Sequence, residues 1–186
     1  MSAGGRRWGW HRLDAEWARR IVAAADIRPG DLVLDLGAGT GALTRPLVRA
    51  GAEVIAVELH PGRVERLRQR FTDEPVTVVR ADLERVRLPR RPYRVVANPP
   101  YAVSAAMLRR LLAPGSRLET ADVLLPAWVV ARYAAGRGAD ARRWSRSYTA
   151  ARGPRLPRHA FTPPPPDDWA VLSLRRHALD RRRRSG

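Results

Sequence analysis

Apolar and polar positions follow two rhythms along most of this chain. Short apolar runs recur at Leu32–Leu36, Glu53–Glu58, Val76–Val79, Tyr93–Ala97 and Ala121–Leu125. Runs of that length, rich in Val, Leu and Ile, are typical of strands buried on both faces. Between them lie stretches with helical spacing. From Asp14 to Ala25, the residues Leu13, Trp17, Ile21 and Ala24 or Ala25 share one face, and Arg19 and Arg20 take the other. Ala42–Ala50 is closed by Gly51, and Pro61–Phe71 begins at a proline suited to a first helical turn. Ala102–Leu112, ended by Pro114-Gly115, and Ala127–Ala135 complete the set. Strand and helix in alternation predict right-handed crossovers and an α/β fold around a mostly parallel, doubly wound sheet.

After Gly136 the rhythm breaks. Gly136–Arg146 is polar and Arg-rich and is expected to form a mobile basic loop. Pro154, Pro157 and Pro163-Pro164-Pro165-Pro166 exclude a central strand there, because proline cannot donate to the ladder. Trp169–Leu174 reads as a last strand that can run antiparallel. The division expected is one domain over residues 1–175 and a disordered basic tail over 176–186, with no repeat and no second domain.

Length and composition narrow the class. At 186 residues with 45% hydrophobic positions, the chain can bury a full core. It has no apolar run of transmembrane length, and Met1–Trp10 lacks the apolar centre of a signal peptide. It has no cysteine, which removes disulfides, thiol nucleophiles and thiolate metal sites and suits the cytoplasm. Thirty-five Lys and Arg against 18 Asp and Glu give a net charge of +17. Codon bias explains arginine over lysine but not the excess over acids. A field of this sign gathers polyanions, so nucleic acid is the expected partner rather than a membrane.

The candidate chemistry lies at the ends of the predicted strands, where doubly wound sheets bind their ligands. Gly37-Ala38-Gly39-Thr40-Gly41 makes a turn whose backbone can approach a ligand closely. Glu58, 21 residues after Gly37, can accept both hydroxyls of a ribose. S-adenosylmethionine and NAD both fit these two features. Asp82 can accept from an adenine amino group with Leu83 beside the ring, and a turn Asp looks the same.

Asn98-Pro99-Pro100-Tyr101 separates the readings. An exocyclic amine on a base is a poor nucleophile because its lone pair is delocalised into the ring. The Asn98 oxygen and the Pro99 carbonyl can each accept one of its N–H bonds, returning density to nitrogen. The prolines fix the backbone. Tyr101 offers a face on which a flipped-out base stacks, worth roughly 1–3 kcal/mol. Neither a metal nor a covalent intermediate is called for; rate comes from positioning and electrostatics. Trp8 and Trp10 could stack on a ligand or pack the first helix, and His11 shows no partner in the sequence.

Together these residues resemble the ribosomal RNA adenine N6-dimethyltransferase superfamily, which holds the erythromycin-resistance (Erm) and small-subunit dimethyltransferases. The resemblance runs from about Trp10 to Arg175 and includes Asp35–Thr44, Val57-Glu58-Leu59, Ala81-Asp82, Val96–Tyr101 and the segment Phe161–Leu172. It implies a Rossmann-like class I methyltransferase, S-adenosylmethionine as donor, and an unpaired or flipped rRNA adenine as acceptor. By the same resemblance Gly37, Gly39, Glu58, Asp82 and Asn98 would bind the donor, and Asn98, Pro99 and Tyr101 would handle the base. Gly9-Trp10-His11-Arg12 stands where the family has Gln-Asn-Phe-Leu, so Trp10 and Arg12 carry over as cofactor contacts by position alone. Asp167 and Trp169 replace the usual Val and Ser, and the family's C-terminal helical domain finds no counterpart. The resemblance is closest to short Erm members acting on 23S rRNA, with macrolide–lincosamide–streptogramin B resistance as the consequence and a monomer as the default state. Alternatives are a 16S rRNA dimethyltransferase, an amino-methyltransferase of DNA or protein glutamine, and a non-catalytic RNA-binding or ribosome-assembly module on the same fold.

Overall fold

The computed structural model describes residues 11–137 and 140–177. A short strand β1 (Arg12–Leu13) leads into helix α1 (Ala15–Ala24), whose first turn is capped by the Asp14 carboxylate on the Glu16 N–H. Then come β2 (Leu32–Leu36), α2 (Thr44–Arg49), β3 (Glu53–Glu58), α3 (Pro61–Arg70), β4 (Val76–Arg80) and β5 (Tyr93–Ala97). Helix α4 (Tyr101–Leu111), β6 (Leu118–Pro126) and α5 (Ala127–Ala134) follow. The last part holds α6 (Ala141–Trp144), β7 (Tyr148–Leu156), β8 (Phe161–Thr162) and β9 (Trp169–Arg176).

Among the described residues, seven strands form one sheet in the order β4-β3-β2-β5-β6-β9-β7. The first five are parallel, while β9 runs antiparallel to both β6 and β7. Moving outward, β3 and β4 follow β2 on one side, and β6 follows β5 on the other, with β9 inserted before the edge strand β7. The switch point therefore falls between β2 and β5, where a crevice opens at the strand ends. Period-two alternation fills the two faces. Leu32, Leu34, Leu36, Val95 and Ala97 join Met107, Leu108 and Val130 in one apolar layer. Val33, Val54 and Val96 join Ile21, Val22 and Leu47 in the other. Among the described residues no helix is long and apolar enough to cross a membrane.

The parallel half matches the pattern reading closely, and β3 and β5 have the expected bounds. The differences lie elsewhere. Ala42 and Leu43 stay in the glycine turn, so α2 starts at Thr44. Helix α1 buries Ala18, Ile21 and Val22, whereas Trp17 is half-buried under the Arg20 guanidinium, 4.9 Å from its ring. The expected basic loop at Gly136–Arg146 contains α6, because Trp144 is buried and stacks on Tyr133 with ring centres 6.0 Å apart. The proline-interrupted stretch is the edge strand β7, whose register shifts between Arg152 and Arg155 around Gly153-Pro154. Pro154 is tolerated there because one side of an edge strand is unpaired.

The expected boundary at 175 also moves. Arg176 is buried in β9, with Nε donating to the Leu118 carbonyl at 2.7 Å and Nη2 to the Ser116 carbonyl at 2.8 Å. Asp122, buried on β6, accepts from Ser173 Oγ at 2.6 Å and from Arg175 Nη2 at 2.9 and 3.0 Å. These polar ties fasten the antiparallel edge, which has few β-branched residues of its own. The rest of the tail call, from residue 178, lies outside the described residues.

Candidate active site

The crevice holds a cleft lined by Arg12, Leu13, Asp35, Gly37, Thr40 and Asn98, among others. Gly37 has φ +83°, and its N–H and that of Ala38 donate to the Val57 carbonyl at 2.9 and 3.0 Å. A Cβ at Gly37 would lie 3.2 Å from Pro99 Cα, so the glycine lets the β2 and β5 loops close on each other.

Glu58 closes this loop from β3. Its Oε2 accepts the Gly39 N–H at 2.9 Å, and its Oε1 accepts those of Leu59 and His60, both at 2.9 Å. Arg63 Nη1 lies 3.8 Å from Oε1. A carboxylate has about four lone-pair positions, so three N–H groups fix it and leave capacity for a ligand hydroxyl.

Asp35 ends β2 beneath the same turn. Its Oδ2 accepts from Thr44 Oγ1 at 2.6 Å, while Oδ1 is buried with no hydrogen-bond partner. Burial lifts its pKa from 3.8 to about 7, the Thr44 hydroxyl opposes the shift, and the Glu58 charge adds to it. A buried acceptor without a donor, facing a cleft, is a position that a ligand cation or N–H would satisfy.

Asn98 sits at the end of β5, and the N-terminal segment crosses it. Asn98 Nδ2 donates to the His11 carbonyl at 3.0 Å. A carbonyl accepts only, so this bond fixes the amide with nitrogen toward His11 and Oδ1 turned away from it. His11 has a partner after all: its Nδ1 meets the Pro163 carbonyl at 2.8 Å, and its ring lies edge-on to Trp169 at 6.2 Å. β1 pairs antiparallel with β8, Arg12 opposite Thr162 and Leu13 opposite Phe161. The segments before α1 and around Phe161–Pro163 thus form one strap over Asn98.

Pro99 is buried, and α4 starts at Tyr101, which is 46% exposed. Its ring meets Trp128 edge to face at 6.0 Å. Arg12 lies on β1 at the mouth of the cleft. Asp82 accepts the Glu84 N–H at 2.9 Å, so it does serve as a turn residue, and its second oxygen remains for other work. Leu83, expected beside a ligand ring, is buried in the core layer with Val57 and Met107. Trp8 and Trp10 lie outside the described residues.

Residues 12–184 match the family model described as ribosomal RNA adenine dimethylase. The chain belongs to that family. It is 40% identical over 174 residues to the mycinamicin-resistance protein MyrB of Micromonospora griseorubida, covering 89% of this chain and 53% of that protein. It is 37% identical over 184 residues to ribosomal RNA small subunit methyltransferase A of Thermosynechococcus vestitus, covering 92% and 69%. The crystal structure of 23S rRNA methyltransferase ErmE superposes with a TM-score of 0.76 at 30% identity, covering 91% of this chain and 70% of that one. The chain thus spans about half to two thirds of the length of these relatives.

Family membership makes S-adenosylmethionine the methyl donor, and the cleft suits it. Glu58 is set for hydroxyls, the Gly37–Gly41 turn admits close approach, and the buried Asp35 Oδ1 lacks a donor. Two features of the cleft had no role assigned from the sequence, Asp35 with Thr44 and the His11 carbonyl, and Trp128 stands beside Tyr101 outside the cleft. An acid inside an apolar strand was a usable signal for Asp35. Nothing local marked the other two, which depend on pairing over 87 residues and on the neighbouring ends of β5 and β6.

Proposed function

We propose that this chain transfers a methyl group from S-adenosylmethionine to N6 of an adenine in 23S rRNA, as a cytoplasmic monomer, with resistance to macrolides, lincosamides and streptogramin B as the consequence. The observation that carries the chemistry is the locked amide of Asn98 beside the glycine cleft. With Nδ2 held by the His11 carbonyl, Oδ1 is an acceptor for one N–H of the target amine. That bond draws the lone pair out of the ring and onto nitrogen. The donor supplies an electrophilic methyl on a sulfonium. The N6 lone pair forms the new C–N bond as the C–S bond breaks with its electrons on sulfur. The amide of Asn98 is no base, so the proton shed by N6 passes to water.

Tyr101, half in solvent at the start of α4, offers a stacking face for the flipped adenine. Glu58 and the Gly37–Gly41 turn fix the donor, and Asp35 pairs with its cationic end. Little chemistry is asked of the protein beyond orientation, which can supply about 7–11 kcal/mol of a barrier.

Large-subunit RNA is favoured by the likeness to the 23S rRNA methyltransferase ErmE, and resistance by the likeness to MyrB. The likeness to the small-subunit enzyme supports 16S rRNA as the second reading. Protein-free 23S and 16S rRNA, incubated separately with radiolabelled donor and mapped by primer extension, decide between them. A mark at an adenine of the peptidyl-transferase loop supports the first reading, and a mark on 16S rRNA alone moves the chain to the second. No mark on either RNA, from protein that binds S-adenosylhomocysteine, refutes both.

A further inference from the structure

Trp128 has no role in the site as described, yet it is the most exposed large apolar side chain among the described residues, at 53%. It is the second residue of α5, directly after β6, and β6 pairs with the β5 strand that carries Asn98. Its indole therefore stands at the same sheet edge as the acceptor loop. A Trp kept half in solvent beside a second exposed aromatic is costly unless something covers it.

Resting on the adenine-methylation reading above, we propose that Trp128 is a second nucleobase platform, stacking the unpaired nucleotide next to the flipped adenine. The ring planes of Trp128 and Tyr101 lie 70° apart with centres 6.0 Å apart. Bases resting on the two rings would be splayed from each other, not stacked together. Such a pair of platforms accepts a strand already unpaired at two successive positions and refuses a stacked helix. Beneath Trp128 runs an open groove between α4 and α5, floored by Ser104, Leu108, Val129 and Tyr133. Arg132, exposed one turn after Trp128, stands on its wall. Beyond Tyr133, Arg109 and Arg143 flank the next cleft. A largely apolar floor with Arg132 on its wall and further arginines in the next cleft fits a base with its phosphate, and suits a polyanion better than a second copy of a chain carrying +17.

The test uses an oligoribonucleotide hairpin with an unpaired target adenine, and versions made abasic at the nucleotide before or after it. Binding by the whole chain, by Trp128→Ala and by Trp128→Phe is followed by fluorescence anisotropy, with S-adenosylhomocysteine titrated in parallel. Trp128→Ala is expected to weaken RNA binding roughly 5- to 100-fold with cofactor affinity unchanged, and Trp128→Phe to recover most of it. One abasic substitution should cost the unmodified chain a similar factor and cost Trp128→Ala nothing further. Equal abasic losses in both proteins would overturn the proposal, as would a fall in kcat with RNA affinity unchanged, which would make Trp128 only a prop for Tyr101. If the chain methylates RNA without this coupling, the platform fails and the proposed function stands. If it binds no RNA at all, both fail.

Discussion

The two flanks of the crevice are built on different terms. On the donor flank, at the ends of β2 and β3, most polar groups are already satisfied from within. Glu58 accepts three backbone N–H groups, and the N–H groups of Gly37 and Ala38 are bound to Val57. On the acceptor flank, at the ends of β5 and β6, Tyr101 and Trp128 stand in solvent with Arg132 on the groove wall. A small ligand met in one shape rewards a preorganised socket. A long, flexible polyanion rewards open aromatic faces and charge. Asn98 lies between them, lining the cleft with its Nδ2 held by the His11 carbonyl, and in the proposed reaction its oxygen faces the target amine.

The sharpest way to break this division is Asn98→Ala. Removing one preorganised polar contact to the reacting group is expected to lower kcat about 10²- to 10³-fold, with a far smaller change in S-adenosylhomocysteine affinity. Single-turnover methylation beside calorimetry checks both halves. Equal losses in the two would merge the flanks.

Next in size is the donor socket itself. Gly37→Ala is expected to cost about 1–2 kcal/mol of backbone strain and, through the 3.2 Å approach to Pro99, at least tenfold in cofactor affinity. Gly30→Ala is the control, since Gly30 has the same φ of +83° with nothing within 4 Å of the added carbon. It should lose stability in thermal unfolding and keep cofactor affinity.

The strap gives a smaller effect. Losing the His11 bond to Pro163 should cost about 0.5–1.5 kcal/mol, seen as a roughly 2- to 12-fold drop in kcat for His11→Ala with little change in KM for the donor. His11→Asn, whose amide can donate from nearly the same place, should restore most of it.

The smallest effect is one of pH. Asp35 is held near 7 by burial, so folded chains keep a proton that unfolded chains lose above 3.8. Its contribution to stability is therefore full below 3.8 and is lost as pH rises toward about 7. A cationic ligand group favours the ionised form, so S-adenosylhomocysteine affinity should rise a few-fold as pH passes 7. Calorimetry from pH 6 to 8 checks this, and Asp35→Asn should be flat.

The donor flank was legible in the sequence because parallel strands, glycine turns and strand-end acids are local signals. Leu32–Leu36, Glu53–Glu58 and Tyr93–Ala97 could be bounded from apolar runs, and Gly37, Glu58 and Asn98 follow from where those runs stop. On the acceptor flank the loop Asn98–Tyr101 was legible and Trp128 was not. Trp144 lies among arginines, so its burial against Tyr133 had no local mark. Edge strand β7 breaks its own pattern at Gly153-Pro154. His11 acquires its roles only when β1 meets β8 across most of the chain.

Everything proposed for the two flanks depends on methyl transfer to an exocyclic adenine amine governed by Asn98. Nucleoside analysis by mass spectrometry of rRNA treated with the unmodified chain and with Asn98→Ala tests it most directly. N6-methylated adenosine is expected from the first, and almost none from the second while it still binds S-adenosylhomocysteine. A methyl on a ring nitrogen or another nucleoside, or full product from Asn98→Ala, would contradict it.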